Sequence, residues 1–567
     1  MGWAVRNVRG APRCGTTRPV SRTGPFAVLA HRAARKRDPR LGSPWVSYVR
    51  PTPMSVPAWA RAVLALSSGV LLALAFPPVG ASVLAPVAVA GLALATYRAR
   101  AGWGAVLGEM QGLMCFGIML RWLSVVGTDA WILLVALCAG WMALLGWASA
   151  LVTRMRWWPL WVACLWVAQE ALRDRIPLGG FPWGRLAFTQ TATTLTPWAA
   201  IGGAALVTFV TALAGCVLAY AVVVVVGRGT DWRRWVAVTL GGLVMLGLAG
   251  ICIPRPVDGQ SSQGPAQATA AVIQGGVPNI GISVSDDRRE VLTRHLGQTD
   301  ALAEEVRAGV APQPDFVVWP ENAVDIDPYV DPDVATSLTT VARAVRAPIL
   351  VGAIIEAPGD PSRIANVGIV WSPDSGPADL YIKRHPVPFG EFVPLRPLIA
   401  PLVGRLDRLS RDMAAGQQAG VLQVGPARVG DVICFEIAYD DIVRDAVVAG
   451  GRVLVVQTNN ATFAGLGQPE QQVAMSRLRA IEHGRAILVA ATTGISAVIS
   501  PDGSVISEIA EADVGSLVEV IQLRDSLTVA DRLGAIPEWA LAGVAVLAVG
   551  FALTRHRGSG TRRGEAI

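Results

Sequence analysis

Eight apolar runs separated by short polar links constrain this chain more than any other feature. They read roughly as Trp59–Ala75, Ser82–Tyr97, Val106–Leu123, Trp131–Val152, Trp157–Ala171, Trp198–Val226, Trp235–Ile253 and Ile536–Leu553. Several approach the ~20 residues that carry a helix across a bilayer core. A few are shorter and need a thin membrane or interfacial ends. The weakest, Trp157–Ala171, closes on Gln169 and Glu170. In lipid only a helix or a closed barrel satisfies the backbone, and uninterrupted runs of this kind fold as helices. Seven runs precede a long polar stretch and one follows it. The expected organisation is a basic, disordered tail over 1–53, a membrane domain with seven spans over 54–254 and a polar domain over 266–525. An eighth transmembrane helix over 535–554 and a basic tail over 555–567 complete it.

Arginine placement orients the spans. Arg98 and Arg100 follow the second run, Arg154 and Arg156 the fourth, and Arg228, Arg233 and Arg234 the sixth. Arg555, Arg557, Arg562 and Arg563 follow the eighth. With the N-terminal tail these share one side, which the positive-inside rule makes cytoplasmic. Both termini are then cytoplasmic, and the polar region, after an odd number of spans, lies outside the cytoplasmic membrane. Arg173, Arg175 and Arg185 dissent, either as tolerated exceptions or as contacts for anionic headgroups. The net charge of +7 divides into +10 over residues 1–53 and −3 over the remainder. Basicity therefore belongs to a tail rich in Arg, Pro and Gly, and no nucleic-acid partner is expected. The tail lacks the apolar core and cleavage site of a signal peptide, and Met54, just before the first run, is an alternative start.

Beyond residue 266 the pattern changes. Short β-branched runs at 268–274, 316–319, 349–355, 367–371, 428–433, 453–457, 487–491 and 496–499 alternate with helical stretches at 285–308, 333–346, 438–448 and 470–483. The strands are too apolar for a one-sided sheet and suit one buried on both faces. Pro501-Asp502-Gly503 reads as a hairpin turn. Lysine is almost absent: Lys36 and Lys383 stand against 47 arginines. Lys383 therefore marks a place that needs a compact, movable ammonium instead of a planar fork. The polar region has one cysteine, Cys434. Cys14 is in the tail and Cys115, Cys138, Cys164, Cys216 and Cys252 lie in or beside spans, so neither a disulfide framework nor a thiolate zinc site is implied. Glu321 follows Pro320 at the end of an apolar strand, and Lys383 and Cys434 also follow strands, where catalytic groups commonly collect. Each alone has an ordinary reading: a turn, a solvated amine, a small buried thiol. His385 and His483 read as structural. Glutamate, lysine and cysteine together are the parts of an acyl-transfer site.

Phe316–Asn322, Tyr381–Pro394 and Gly430–Glu436 together resemble the motifs of the nitrilase superfamily. Pro388–Pro394 and the flanking spans resemble specifically the apolipoprotein N-acyltransferase family, over about residues 57–554. Phe76-Pro77-Pro78, Gly180–Trp183, Thr458–Asn460 and Arg479–Glu482 extend the likeness. The resemblance implies about eight spans joined to an α/β nitrilase-like αββα sandwich. It makes Cys434 the nucleophile, Glu321 the general base, and Lys383 the oxyanion stabiliser with the amide of Phe435. Glu391 and Glu436 position Lys383 and order the site. The implied reaction is ping-pong: a phospholipid acylates Cys434 as a thioester, and the α-amine of a diacylglyceryl-modified N-terminal cysteine on an apolipoprotein accepts the chain. No metal or organic cofactor is called for, and a monomer is expected. Phe389, Phe392, the Leu395–Leu409 segment and Phe463 form an expected apolar lid that keeps water out. Val277–Ser283, Phe435 and Asn460–Phe463 depart from the proteobacterial pattern and resemble the actinobacterial branch. Two alternatives remain, a membrane-tethered nitrilase-type amidohydrolase and a binding or transport protein without catalysis.

Overall fold

A computed structural model describes residues 56–227, 232–259, 262, 264–277, 288–404, 406 and 409–564. The 1–53 tail, Met54, Arg228, the 278–283 departures, parts of the 395–409 segment and the side chains beyond Arg555 lie outside the described residues. The membrane part comprises α1 (Ala58–Ala75), α2 (Leu84–Thr96), α3 (Ala101–Met119), α4 (Thr128–Val152), α5 (Trp158–Arg173), α6 (Ala199–Val226) and α7 (Trp232–Ile251). Each of the first seven apolar runs is thus helical. Among the described residues, five helices, the C-terminal one included, are long and apolar enough to cross a membrane: 58–75, 128–152, 196–226, 232–251 and 536–555. Helices α2 and α5 are shorter, at 13 and 16 residues.

Lipid supplies no hydrophobic drive between helices, so close backbone approach must hold them. Gly104, Gly108 and Gly112 recur every four residues along α3 and face Ala139, Met142 and Gly146 of α4. A Cβ on Gly108 would overlap the Met142 carbonyl, and one on Gly146 the Gly104 carbonyl. At one end of the bundle the α2–α3 and α4–α5 turns lie side by side. There the Arg98 amide donates to Thr153 Oγ1 at 3.0 Å and Arg154 donates to the Ala99 carbonyl at 2.7 Å.

The polar region runs β1 (Gln267–Gln274), α8 (Arg288–Arg307), β2 (Phe316–Val318), α9 (Pro332–Val345), β3 (Ile349–Ala357), β4 (Asp360–Ser372), β5 (Gly376–Ile382), α10 (Arg396–Ile399), β6 (Val421–Val424) and β7 (Ala427–Ile433). It continues through α11 (Asp440–Val448), β8 (Val453–Thr458), α12 (Gln468–His483), β9 (Ile487–Ala491), β10 (Ser496–Ile499), β11 (Val505–Ile509), β12 (Gly515–Gln522), α13 (Val529–Leu533) and α14 (Ile536–Gly564). Two six-stranded sheets result, ordered β12-β1-β2-β3-β4-β5 and β11-β10-β9-β8-β7-β6. Strand periodicity of two divides their faces. Ala270, Val272, Phe316 and Val318 meet Val429, Val453, Val455 and Leu488 of the other sheet. Their neighbours Ala271, Ile273, Val317 and Trp319 pack instead with Leu302 of α8 and Leu338 and Val341 of α9. On the second sheet Val432, Leu454 and Val456 turn toward Val443 of α11 and Met475 and Leu478 of α12. This is the helix–sheet–sheet–helix sandwich that the resemblance implied, and Pro501–Gly503 does connect the β10–β11 hairpin.

The α11–α12 layer shares one continuous apolar core with the membrane helices. Gln471 of α12 is buried against three turns of the bundle. Its Oε1 accepts from the indoles of Trp122 at 3.3 Å and Trp183 at 2.7 Å, and its Nε2 donates to the carbonyls of Pro77 and Met119, both at 3.2 Å. These partners lie on the α1–α2, α3–α4 and α5–α6 connections, at the end of the bundle away from Arg98 and Arg154. Of the two sequence readings of the dissenting arginines, the structure favours tolerated exceptions over headgroup contacts. Arg173 and Arg185 are 2% exposed and neutralised within the protein. Arg185 pairs with Asp440 of α11 at 2.7 Å, with Asp174 at 3.3 Å and with Glu170 at 3.6 Å, while Arg173 donates to the Phe181 and Trp183 carbonyls. Arg479 of α12 also holds Asp440, at 2.6 Å, and Arg175 pairs with Glu538 of α14 at 2.6 Å. A guanidinium paired in this way is not a free cation for topology to count.

Replacing Gln471 with Ala strands two indole N–H groups and two carbonyls. The expected loss is about 2–4 kcal/mol of stability. Thermal unfolding of the full chain in detergent should show it as a midpoint lower by about 2–4 °C, the shift that such a loss gives in a chain of this length; an unchanged midpoint would discard this seating.

Candidate active site

Strand ends assemble the site. Glu321 follows β2 and Pro320, Lys383 directly follows β5 with its amide bonded to the Asn366 carbonyl at 2.9 Å, and Cys434 follows β7. Cys434 has φ +56°. That left-handed conformation costs a non-glycine residue about 1–2 kcal/mol. It turns the chain sharply from strand into a short helical turn over Cys434–Ala438, with the residue as a whole partly exposed.

Lys383 is 1% exposed and bridges two carboxylates, Glu321 Oε1 at 3.0 Å and Glu391 Oε1 at 2.8 Å. Asn366 Nδ2 donates to the same two oxygens at 2.7 and 3.0 Å. The remaining carboxylate oxygens accept backbone amides, Glu321 Oε2 from Asn459 at 2.9 Å and Glu391 Oε2 from Val387 at 2.6 Å. Burial, the largest single influence, disfavours the ammonium. Glu321, Glu391 and the Cys434 sulfur nevertheless hold it well above its ordinary value. The sulfur lies 3.3 Å from Thr458 Oγ1. Thr458 and Asn459 are adjacent, so one short segment ties the thiol and Glu321 together. Burial pushes the Cys434 thiol up to about 12, and Glu321 adds to the rise against the pull of Lys383 and Thr458. At neutral pH the resting sulfur therefore holds its proton, and a nearby acceptor is needed to remove it.

The two supporting carboxylates differ. Glu391 touches Lys383 directly. Glu436 accepts from Tyr381 Oη at 3.0 Å and from the amides of Ile433, Arg384 and His385 at 2.8, 2.7 and 3.0 Å. It thus fixes the backbone immediately before Cys434 and immediately after Lys383, and burial raises its pKa. The Phe435 ring stacks on Trp183, with centroids 5.5 Å apart and planes 2° apart, and lies 5.8 Å from Phe181. Part of the aromatic wall beside the thiol therefore comes from the membrane part. Phe463 packs edge-on against Trp122 at 5.0 Å, whereas Phe389, Leu395 and Leu398 are exposed. His483 pairs with Asp531 at 2.6 Å and His385 lies against Tyr439. Sequence reasoning missed Asn366, Thr458 as a partner of the sulfur, and Gln472, which donates to the Cys434 carbonyl at 3.1 Å. It also missed Asp431, buried between the sheets beneath Gly368 and held by burial well above the carboxylate range. A polar residue inside an apolar strand, as at Asn366 and Asp431, was the available signal.

Comparison with known proteins covers both parts of the chain. Family models match two stretches, the apolipoprotein N-acyltransferase N-terminal domain over residues 68–217 and the carbon-nitrogen hydrolase domain over 269–526. The apolipoprotein N-acyltransferase of Mycolicibacterium smegmatis is 38% identical over 504 residues, covering 86% of this chain and 84% of its own. That of Geobacter metallireducens is 30% identical, covering 86% of this chain and 94% of its own. Among solved structures, an amidase of the nitrilase superfamily from Nesterenkonia AN1 aligns over 47% of this chain and 94% of its own, at 15% identity and a TM-score of 0.34.

The buried cluster has a pH signature. The pKa of Lys383 is raised, so its contribution to stability is complete below the free-lysine value near ~10.5 and fades only above it. Lys383→Met removes that contribution and leaves two carboxylates sharing Asn366 without a cation. The variant should unfold a few degrees below the parent at pH 8, where the Lys383 ammonium is fully present. A midpoint equal to the parent's at pH 8 would refute the pairing.

Proposed function

This chain belongs to the apolipoprotein N-acyltransferase family, and we propose that it moves a fatty acyl chain from a phospholipid to the α-amine of the N-terminal diacylglyceryl-cysteine of apolipoproteins. The observation that carries the reading is the half-buried thiol of Cys434 tied, through Thr458 and Asn459, to a Glu321 carboxylate that also holds Lys383. Glu321 takes the thiol proton as sulfur attacks the ester carbonyl. The Lys383 ammonium and the Phe435 amide stabilise the oxyanion, and Glu391 and Glu436 hold that donor pair in place. Collapse returns the proton from Glu321 to the departing lysophospholipid. In the second half the amine attacks the thioester, Glu321 takes a proton from it, and the thiol is regenerated as the amide leaves.

The structure is that of a membrane protein, with several helices apolar enough to cross a bilayer. In our reading the arginine-bearing turns face the cytoplasm, both termini are cytoplasmic, and the site opens at the outer rim, within reach of two lipid-anchored substrates. Phe435, Trp183 and Phe181 supply an aromatic wall for the chain carried on sulfur. The enzyme acts as a monomer without metal, organic cofactor or nucleic acid. A membrane-tethered amidohydrolase would share the three reactive groups but has no use for a catalytic core continuous with the membrane helices.

Incubation with a defined phospholipid and no amine should leave one fatty-acyl mass on the Cys434 peptide, labile to hydroxylamine. Glu321→Gln should abolish it. Lys383→Arg should slow it by at least about 100-fold although charge is kept, because a planar fork does not fit a point-charge position. Lipid-independent amide hydrolysis without an acyl-enzyme would replace this reading with the amidohydrolase one.

A further inference from the structure

Thr458 has one hydroxyl proton and two acceptors for it, Cys434 Sγ at 3.3 Å and Gln472 Oε1 at 3.0 Å. The orientation of the Gln472 amide is fixed by its other partners. Its Nε2 donates to the Cys434 carbonyl at 3.1 Å, and its Oε1 also accepts from Asn460 Nδ2 at 2.8 Å. Thr458 and Gln472 are both buried, so no solvent competes for the proton. A thiol offers its own S–H and is a weak acceptor, whereas a thiolate has no hydrogen and accepts strongly.

We infer that Thr458 is a further catalytic residue whose hydroxyl donates to Gln472 while Cys434 is a thiol and rotates to donate to the sulfur when it becomes a thiolate. The step balances: the S–H bond breaks, its electron pair stays on sulfur, the proton goes to the Glu321 carboxylate, and Thr458 only turns about its Cβ–Oγ bond. The same donation serves the second half-reaction, when sulfur leaves again as a thiolate. Glu321, Glu391 and Lys383 are the charged groups that act on the thiol from neighbouring elements. Asp431 and Glu436 flank it on its own segment, Glu436 being occupied by Tyr381 and backbone amides. Two carboxylates against one ammonium oppose a new negative charge there, and Thr458 is a neutral donor placed to offset this. Gln472 acts through Thr458 and is a positioning residue.

The inference rests on Cys434 being the nucleophile, and alkylation by iodoacetamide tests it without lipid. The full chain is treated in detergent between pH 7 and 9, and the rate is read by mass on the Cys434 peptide because Cys252 is also exposed. Below its midpoint a thiol reacts about tenfold faster per pH unit, so a one-unit shift appears as about a tenfold rate change at fixed pH. Thr458→Val should alkylate at least about tenfold more slowly than the parent, and Thr458→Ser should restore the parent rate. Gln472→Leu, which removes the competing acceptor, should react faster, and the gain should vanish in the Thr458→Val/Gln472→Leu double variant, whereas a gain from loosened packing would persist there. A parent-like rate in Thr458→Val, or a Gln472→Leu rate at or below the parent, overturns the inference. If Thr458→Val does not fold, the Gln472→Leu result decides. Failure of phospholipid to acylate an enzyme that shows these shifts would count against the proposed function alone.

Discussion

The ammonium of Lys383, enclosed between Glu321 and Glu391, is the interaction on which the rest of the site depends. Burying a charge is costly unless partners replace its hydration, and here two carboxylates at 2.8 and 3.0 Å do so. Asn366 donates to the same two oxygens and the Asn459 and Val387 amides hold the other two, so the carboxylates cannot swing away. The ends of β2, β5 and β8 are thereby fixed to one point. The base role proposed for Glu321 beside a cation is feasible because Glu391 shares the task of neutralising it.

A second constraint comes from α12. Gln471 and Gln472 are neighbours in sequence and point to different partners. One side chain binds three connections of the membrane bundle, and the other binds the carbonyl of Cys434 and the hydroxyl of Thr458. The lipid-embedded part and the reacting sulfur are thus tied to the same turn of helix. Arg479 and Arg185 strengthen that seat through Asp440.

Much of this was legible in the sequence because apolar periodicity is a local property. The long membrane helices, the buried strands and the 501–503 hairpin all declare themselves by run length or turn chemistry. Strand β6 is only four residues, and β12 carries Ser516 and Glu519 with a half-buried pattern, so neither has a strong period of its own; each is recruited by pairing with a neighbour. The rarity of lysine singled out Lys383, and motif likeness singled out Glu321 and Cys434. Asn366, Thr458 and Gln472 were not legible, because their roles come from residues 24 to 45 positions away that only the fold brings close. Why Arg173 and Arg185 are tolerated was hidden for the same reason: a charge count along the chain does not show which cations already have partners.

The apolar layer of α11 and α12 has a consequence for how this molecule can be handled. Its side chains complete the same core as the helices beneath them, so no natural cut exists at which a water-soluble enzyme could be released. A free-standing fragment of the sandwich would carry a greasy underside and a Gln471 oxygen without its indole donors into solvent. Confinement to the bilayer is therefore a property of the interior of the protein and not of a detachable anchor.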